Sequence, residues 1–135
     1  MLELIEVSKS YAGVVALERC NLSIPAGRTS VLIGPSGSGK STVLRLIIGL
    51  QVPDAGSIRF AGQRIDPDSL PALRRQMGYV IQDGGLFPHL SARENVIFAI
   101  RDCDRRERDD RAMALLEDLA LAEAAGRRPS EISGG

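Results

Sequence analysis

At 135 residues the chain has a one-domain length, and 44% hydrophobic with 25% charged residues is ordinary globular composition. Seventeen basic and seventeen acidic residues cancel, which removes the strong field that a direct nucleic-acid or anionic-membrane partner exploits. Cys20 and Cys103 share no metal or redox spacing, Met1 to Glu6 lacks a basic signal region, and the best apolar run is broken by Arg45, so a soluble cytoplasmic chain without a transmembrane segment is expected.

In chain order, Leu2–Val7 partly alternates and predicts a strand. Val14–Ile24 predicts a second, with Leu17, Cys20, Leu22 and Ile24 turned inward. Pro25-Ala26-Gly27 turns the chain into Thr29–Ile33, whose β-branched and apolar residues predict a buried parallel strand. That segment runs directly into Gly34-Pro35-Ser36-Gly37-Ser38-Gly39-Lys40-Ser41-Thr42, a complete loop of the form G-x-x-x-x-G-K-[ST]. Its three glycines let successive amide N–H groups curl around one anion. Lys40 supplies positive charge for the β- and γ-phosphates, and Ser41 supplies a hydroxyl oxygen for Mg²⁺. Ser41–Leu50 then reads as a helix whose N-terminus faces the phosphates. The competing reading, a Gly/Ser-rich turn before an ordinary helix, does not explain strand, loop, lysine and helix in register. A nucleoside triphosphate with magnesium is the expected ligand.

Pro53-Asp54-Ala55-Gly56 predicts a turn and Ser57–Phe60 a short strand. Asp66-Pro67-Asp68-Ser69 predicts a helix start, and Gly78–Ile81 another buried strand. Ser91-Ala92-Arg93-Glu94 is a capping box opening a helix through Val96, Phe98 and Ile100. From Arg105 to Leu121, the apolar Ala112, Met113, Leu115, Leu116 and Leu119 predict one buried helical face. The mixed charges of Arg105–Arg111 suit a solvated helix start better than a nucleic-acid patch.

Tyr11 past the first strand, the phosphate loop, Gln82 after an apolar segment and the closing Ser133-Gly134-Gly135 together resemble the ATP-binding cassette family, in particular the nucleotide-binding subunit of an ABC transporter. The resemblance covers the whole chain. It implies an α/β fold, the N-terminal part of a P-loop ATPase, with an antiparallel β subdomain and a partial parallel core sheet. Residues 1–90 would form the nucleotide-binding core and residues 91–135 a helical subdomain ending at the signature loop. Tyr11 would stack on adenine, because an aromatic face gives contact area without base-specific hydrogen bonds. Gln82 would approach Mg²⁺ and the attacking water, and so join Lys40 as a catalytic residue. Ser133-Gly134-Gly135, with Ile132 in the usual leucine place, would bind the ATP held by a second subunit in a head-to-tail dimer. Each of these three features, taken singly, also has an ordinary structural reading.

The family docks a membrane permease near Phe87-Pro88-His89-Leu90, which implies a protein peripheral to the inner face of the membrane through partner subunits. His89 does not inherit the family's switch role, since that histidine lies beyond the signature. The run Met77–His89 is similar to importers of osmoprotectants such as glycine betaine, choline or proline. The family's Asp-Glu strand and switch histidine follow the signature, and no earlier apolar run ends in Asp-Glu. Residues 1–135 are therefore expected to be part of a cassette that binds ATP with little turnover, while the parent protein hydrolyses it. A non-hydrolysing nucleotide-binding or assembly module is the alternative. A soluble cassette ATPase of translation or DNA repair fits less well, because paired cassettes and large insertions are missing.

Overall fold

The computed structural model describes residues 1–81, 84–100 and 103–132. These fall into two compact units, residues 1–79 and residues 80–135.

The first unit is built on a four-stranded antiparallel sheet in the order β2-β1-β3-β4. The strands are β1 (Leu2–Tyr11), β2 (Val14–Ile24), β3 (Ala55–Phe60) and β4 (Gln63–Arg64). Ala12 and Gly13 join β1 to β2 with φ of 47° and 83°, the pair of positive values that a tight two-residue hairpin needs. The partial alternation of the first strand has a structural cause. Leu4 pairs with Leu22 and Val7 with Cys20, so one extra residue bulges out of β1, and Glu6 takes a φ of 51° there. Asn21 and Arg19 tie the bulge down: the Arg19 Nε donates to Glu6 Oε2 at 2.6 Å, and the Asn21 amide nitrogen donates to Glu6 Oε1. These hydrogen bonds, Asn21 first, hold the Glu6 carboxyl below the usual carboxylate range. Leu2, Leu4 and Val7 consequently all face the core despite their uneven spacing.

Helix α1 (Lys40–Ile47) packs Val43 and Leu46 onto that face, beside Ile58 of β3. Leu17, Cys20, Leu22 and Ile24 flank the cluster half-buried, as the pattern of β2 predicts. The carbonyls just past the end of α1 find partners in the short helix α2 (Leu70–Arg74): Arg74 donates to those of Ile48 and Gly49 at 2.9 and 2.8 Å. Ahead of α2, Asp66 and Ser69 exchange hydrogen bonds across a turn, and the helix expected to start at Asp66–Ser69 begins just after it, at Leu70.

Two expected strands are not formed. Thr29–Ile33 and Gly78–Ile81 carry no ladder, and Val31, Ile33 and Val80 stand 74%, 92% and 95% exposed. A parallel strand takes its hydrogen bonds from segments distant in sequence. Among the described residues every strand pairing is antiparallel, so the expected parallel core sheet is not assembled there.

The second unit holds α3 (Ala92–Ala99) and α4 (Arg105–Asp118), followed by single helical turns at Ala122–Ala124 and Pro129–Glu131. Ser91 and Glu94 form both hydrogen bonds of the capping box, and α3 ends one residue before Ile100. The buried stripe of α4 is narrower than its composition predicts. Ala112 and Leu116 are buried, whereas Leu115 and Leu119 are exposed, because one neighbouring helix covers only a narrow arc.

Candidate functional site

The loop Gly34–Thr42 leads into α1. Gly39, the residue before the helix, has a φ of +85°, and a Cβ there would stand 2.7 Å from the carbonyl oxygen of Ala16 and 2.9 Å from Leu17 Cδ2. Only glycine lets the loop lie this close to β2. Having no side chain, Gly39 also leaves the first N–H groups of α1 without a side-chain cap. Those donors, and the positive end of the helix, fit an anion.

Lys40 is held over the mouth of the same loop. Its ammonium donates to the carbonyls of Gly34 and Pro35 at 2.8 and 2.7 Å and to Ser38 Oγ at 3.0 Å. The Ser41 hydroxyl belongs to an exposed residue, whereas Thr42 is buried beneath the loop. Tyr11, Ala16 and residues 36–42 line one concavity of about 330 Å³. Tyr11, named only by its position in sequence, thus stands at the rim of the phosphate loop. The loop fits a triphosphate, and the Ser41 oxygen fits a magnesium ligand of the kind that shares the ion with phosphate oxygens. Among the described residues no three His, Cys, Asp or Glu side chains gather as a metal site.

Gln82 and Ser133, Gly134 and Gly135 lie outside the described residues. Phe87 belongs to the second unit, where its ring meets that of Phe98 edge-on at 4.6 Å and that of His89 at 6.0 Å. Asn95 of α3 organises this segment, accepting from the Phe87 amide at 2.7 Å and donating to the carbonyls of Phe87, Leu90 and Ser91. Leu86 and Phe87 remain exposed.

Sequence reasoning missed three side chains that hold these elements in place. Asn95 stands among apolar helix positions and gave no signal. Gln51 accepts a hydrogen bond from the Tyr11 hydroxyl. Asp54, which the sequence marks only as a turn former, accepts from Lys9 and then from the Ser10 amide, and these donors hold its carboxyl below the usual range.

Residues 17–135 match the family model described as ABC transporter. The chain belongs to that family. The Fe(3+) ions import ATP-binding protein FbpC of Pseudomonas fluorescens is 44% identical to it, over 99% of this chain and 38% of the relative. The spermidine/putrescine import ATP-binding protein PotA of Lawsonia intracellularis is 41% identical, over 100% of this chain and 37% of the relative. The chain therefore spans well under half the length of these relatives. A dimeric, post-hydrolysis structure of the ATP-binding cassette MJ0796 bound to ADP and Pi superposes with a TM-score of 0.86 at 35% identity, covering 98% of this chain and 63% of that one. A second dimeric structure of that cassette gives 0.87 at 36% identity. The fold is thus the N-terminal part of an ABC ATPase cassette, α/β with an antiparallel β sheet. The names of these importers give no support to the osmoprotectant subfamily expected from Met77–His89.

Proposed function

We propose that Gly34–Thr42 binds the triphosphate of MgATP, and that the whole protein is the ATP-hydrolysing subunit of an ABC importer. One observation carries this reading: Lys40 and the uncapped start of α1 converge on a single glycine-shaped loop. On binding, the α1 amides take phosphate oxygens, and Lys40 turns its ammonium from the loop carbonyls to the terminal phosphates. Ser41 offers its hydroxyl to the metal, and Tyr11 offers its ring to adenine. Magnesium, when bound, draws charge from the phosphate oxygens and so eases in-line attack by water. Gln82 orients that water.

The relatives' names favour iron(III) or polyamine import over osmoprotectant import. The dimeric structural neighbours support a partner cassette, with Ser133-Gly134-Gly135 serving its ATP. The exposed Leu86 and Phe87 support a permease contact near Phe87–Leu90, which would hold the protein at the inner face of the membrane. No helix among the described residues is long and apolar enough to cross a membrane itself.

The test is Lys40→Ala in the full-length protein. Hydrogen bonds to a charged group contribute about 1.5–3 kcal/mol, so MgATP affinity should fall roughly tenfold to a hundredfold and ATP turnover should disappear. Calorimetry and phosphate release measure the two. Unchanged turnover rejects the assignment.

A further inference from the structure

The segment that follows α1 reaches back to the end of the first strand. Asp54 Oδ1 accepts from Lys9 Nζ at 2.7 Å, and Oδ2 accepts from the Ser10 amide at 2.8 Å. The Asp54 amide donates to the Ser8 carbonyl at 2.9 Å. Gln51 Oε1 accepts from the Tyr11 hydroxyl, and Lys9 Nζ stands 5.7 Å from the centre of the Tyr11 ring, within cation–π reach. Residues 8–11 are therefore clamped to residues 51–54. The clamp is anchored on α1, since the Leu50 amide donates to the Arg45 carbonyl at 2.8 Å. One rigid helix thus carries the phosphate loop at its N-terminus and, just past its C-terminus, the grip on Tyr11.

That connection matters because Tyr11 closes a hairpin at the edge of the site and is itself more than a third exposed. A half-exposed aromatic ring samples several rotamers, and fixing one on binding weakens the complex. The hydroxyl contact to Gln51 and the cation at Lys9 select one ring orientation beforehand. Resting on the reading that Tyr11 takes the base, we propose that Gln51 and Asp54 are positioning residues for the nucleobase, setting the span between the tyrosine ring and the phosphate grip. Neither of them lines the concavity of the phosphate loop. The ligand so selected is a nucleoside triphosphate whose flat base meets the ring, in preference to a bare polyphosphate.

The experiment compares MgATP with magnesium tripolyphosphate, which has the chain of phosphates but no base, by calorimetry on the full-length protein. Asp54→Ala and Gln51→Leu should each weaken MgATP by about three- to tenfold, the range of single hydrogen bonds, and leave tripolyphosphate within about twofold. Gln51→Glu, which keeps an acceptor for the Tyr11 hydroxyl, should restore MgATP binding. Equal losses for both ligands would reduce the clamp to a structural brace of the phosphate loop and overturn the proposal. So would unchanged MgATP affinity in both variants while Tyr11→Ala selectively weakens MgATP. If Tyr11→Ala itself shows no selective loss, the base-binding reading fails, and the clamp proposal with it.

Discussion

Gly37 and Gly39 share a left-handed backbone, with φ of +82° and +85°, but their surroundings differ. Nothing lies within 4 Å of a Cβ built on Gly37, whereas one on Gly39 meets a backbone carbonyl that cannot swing aside. Gly37→Ala is therefore expected to cost only the left-handed strain, about 1–2 kcal/mol. Gly39→Ala adds the clash with Ala16, and should also weaken MgATP binding by roughly tenfold or more as the loop leaves β2. Denaturant unfolding and calorimetry on the pair test this, and equal effects would contradict it. The motif requires Gly39 and leaves Gly37 at an open position. The steric reason depends on Ala16, a residue of another element, and so is not legible in the motif. The same holds for Gln51 and Asp54: what marks them is their contact with residues 8–11 at the end of β1, not their neighbours along the chain.

Among the elements, α3 was the best specified, because its signal is local. Ser91 and Glu94 satisfy each other's backbone groups three residues apart. Ser91→Ala should destabilise by about 1 kcal/mol. The hydrogen bonds from the Ser91 amide and hydroxyl hold the Glu94 carboxyl below its ordinary range. A depressed carboxylate stabilises the fold above its unfolded value of about 4.3, and that contribution fades as the pH drops through the lower folded value. Glu94→Gln should accordingly destabilise near neutrality and match the parent in stronger acid. Urea unfolding at the two pH values decides it; a penalty persisting in acid would point to packing instead of charge. Both strands of the β1–β2 hairpin are legible from local pattern, although β1 runs on to Tyr11, past the end at Val7 that its alternation marks. Thr29–Ile33 and Gly78–Ile81 were not, because composition can mark a segment as strand-forming but cannot supply the neighbours that complete it. The stripe of α4 failed in milder form: periodicity found Ala112 and Leu116, and tertiary coverage excluded Leu115 and Leu119.

At the scale of the whole molecule, the division into residues 1–79 and 80–135 separates two kinds of core. Leu46 joins α1 to the antiparallel sheet, whereas Leu116 fills a helical unit. Leucine-to-alanine changes in such sites cost about 2–5 kcal/mol. Leu46→Ala should speed amide hydrogen exchange in β1 and β3 and impair MgATP binding. Leu116→Ala should speed exchange in α3 and α4 and leave nucleotide affinity nearly unchanged. A similar loss of affinity in both variants would mean that the two cores act as one. The equal numbers of acidic and basic residues give the molecule no net field to gather anions from a distance. Discrimination must then begin at contact range, where Lys40 already has three oxygens of its own loop as company. An incoming anion has to displace that internal rival. Those resting partners are neutral oxygens, so a charged phosphate oxygen makes the stronger contact with the ammonium once it arrives. The lysine is thereby parked within its own loop, already placed beside the helix start from which the anion would be gripped.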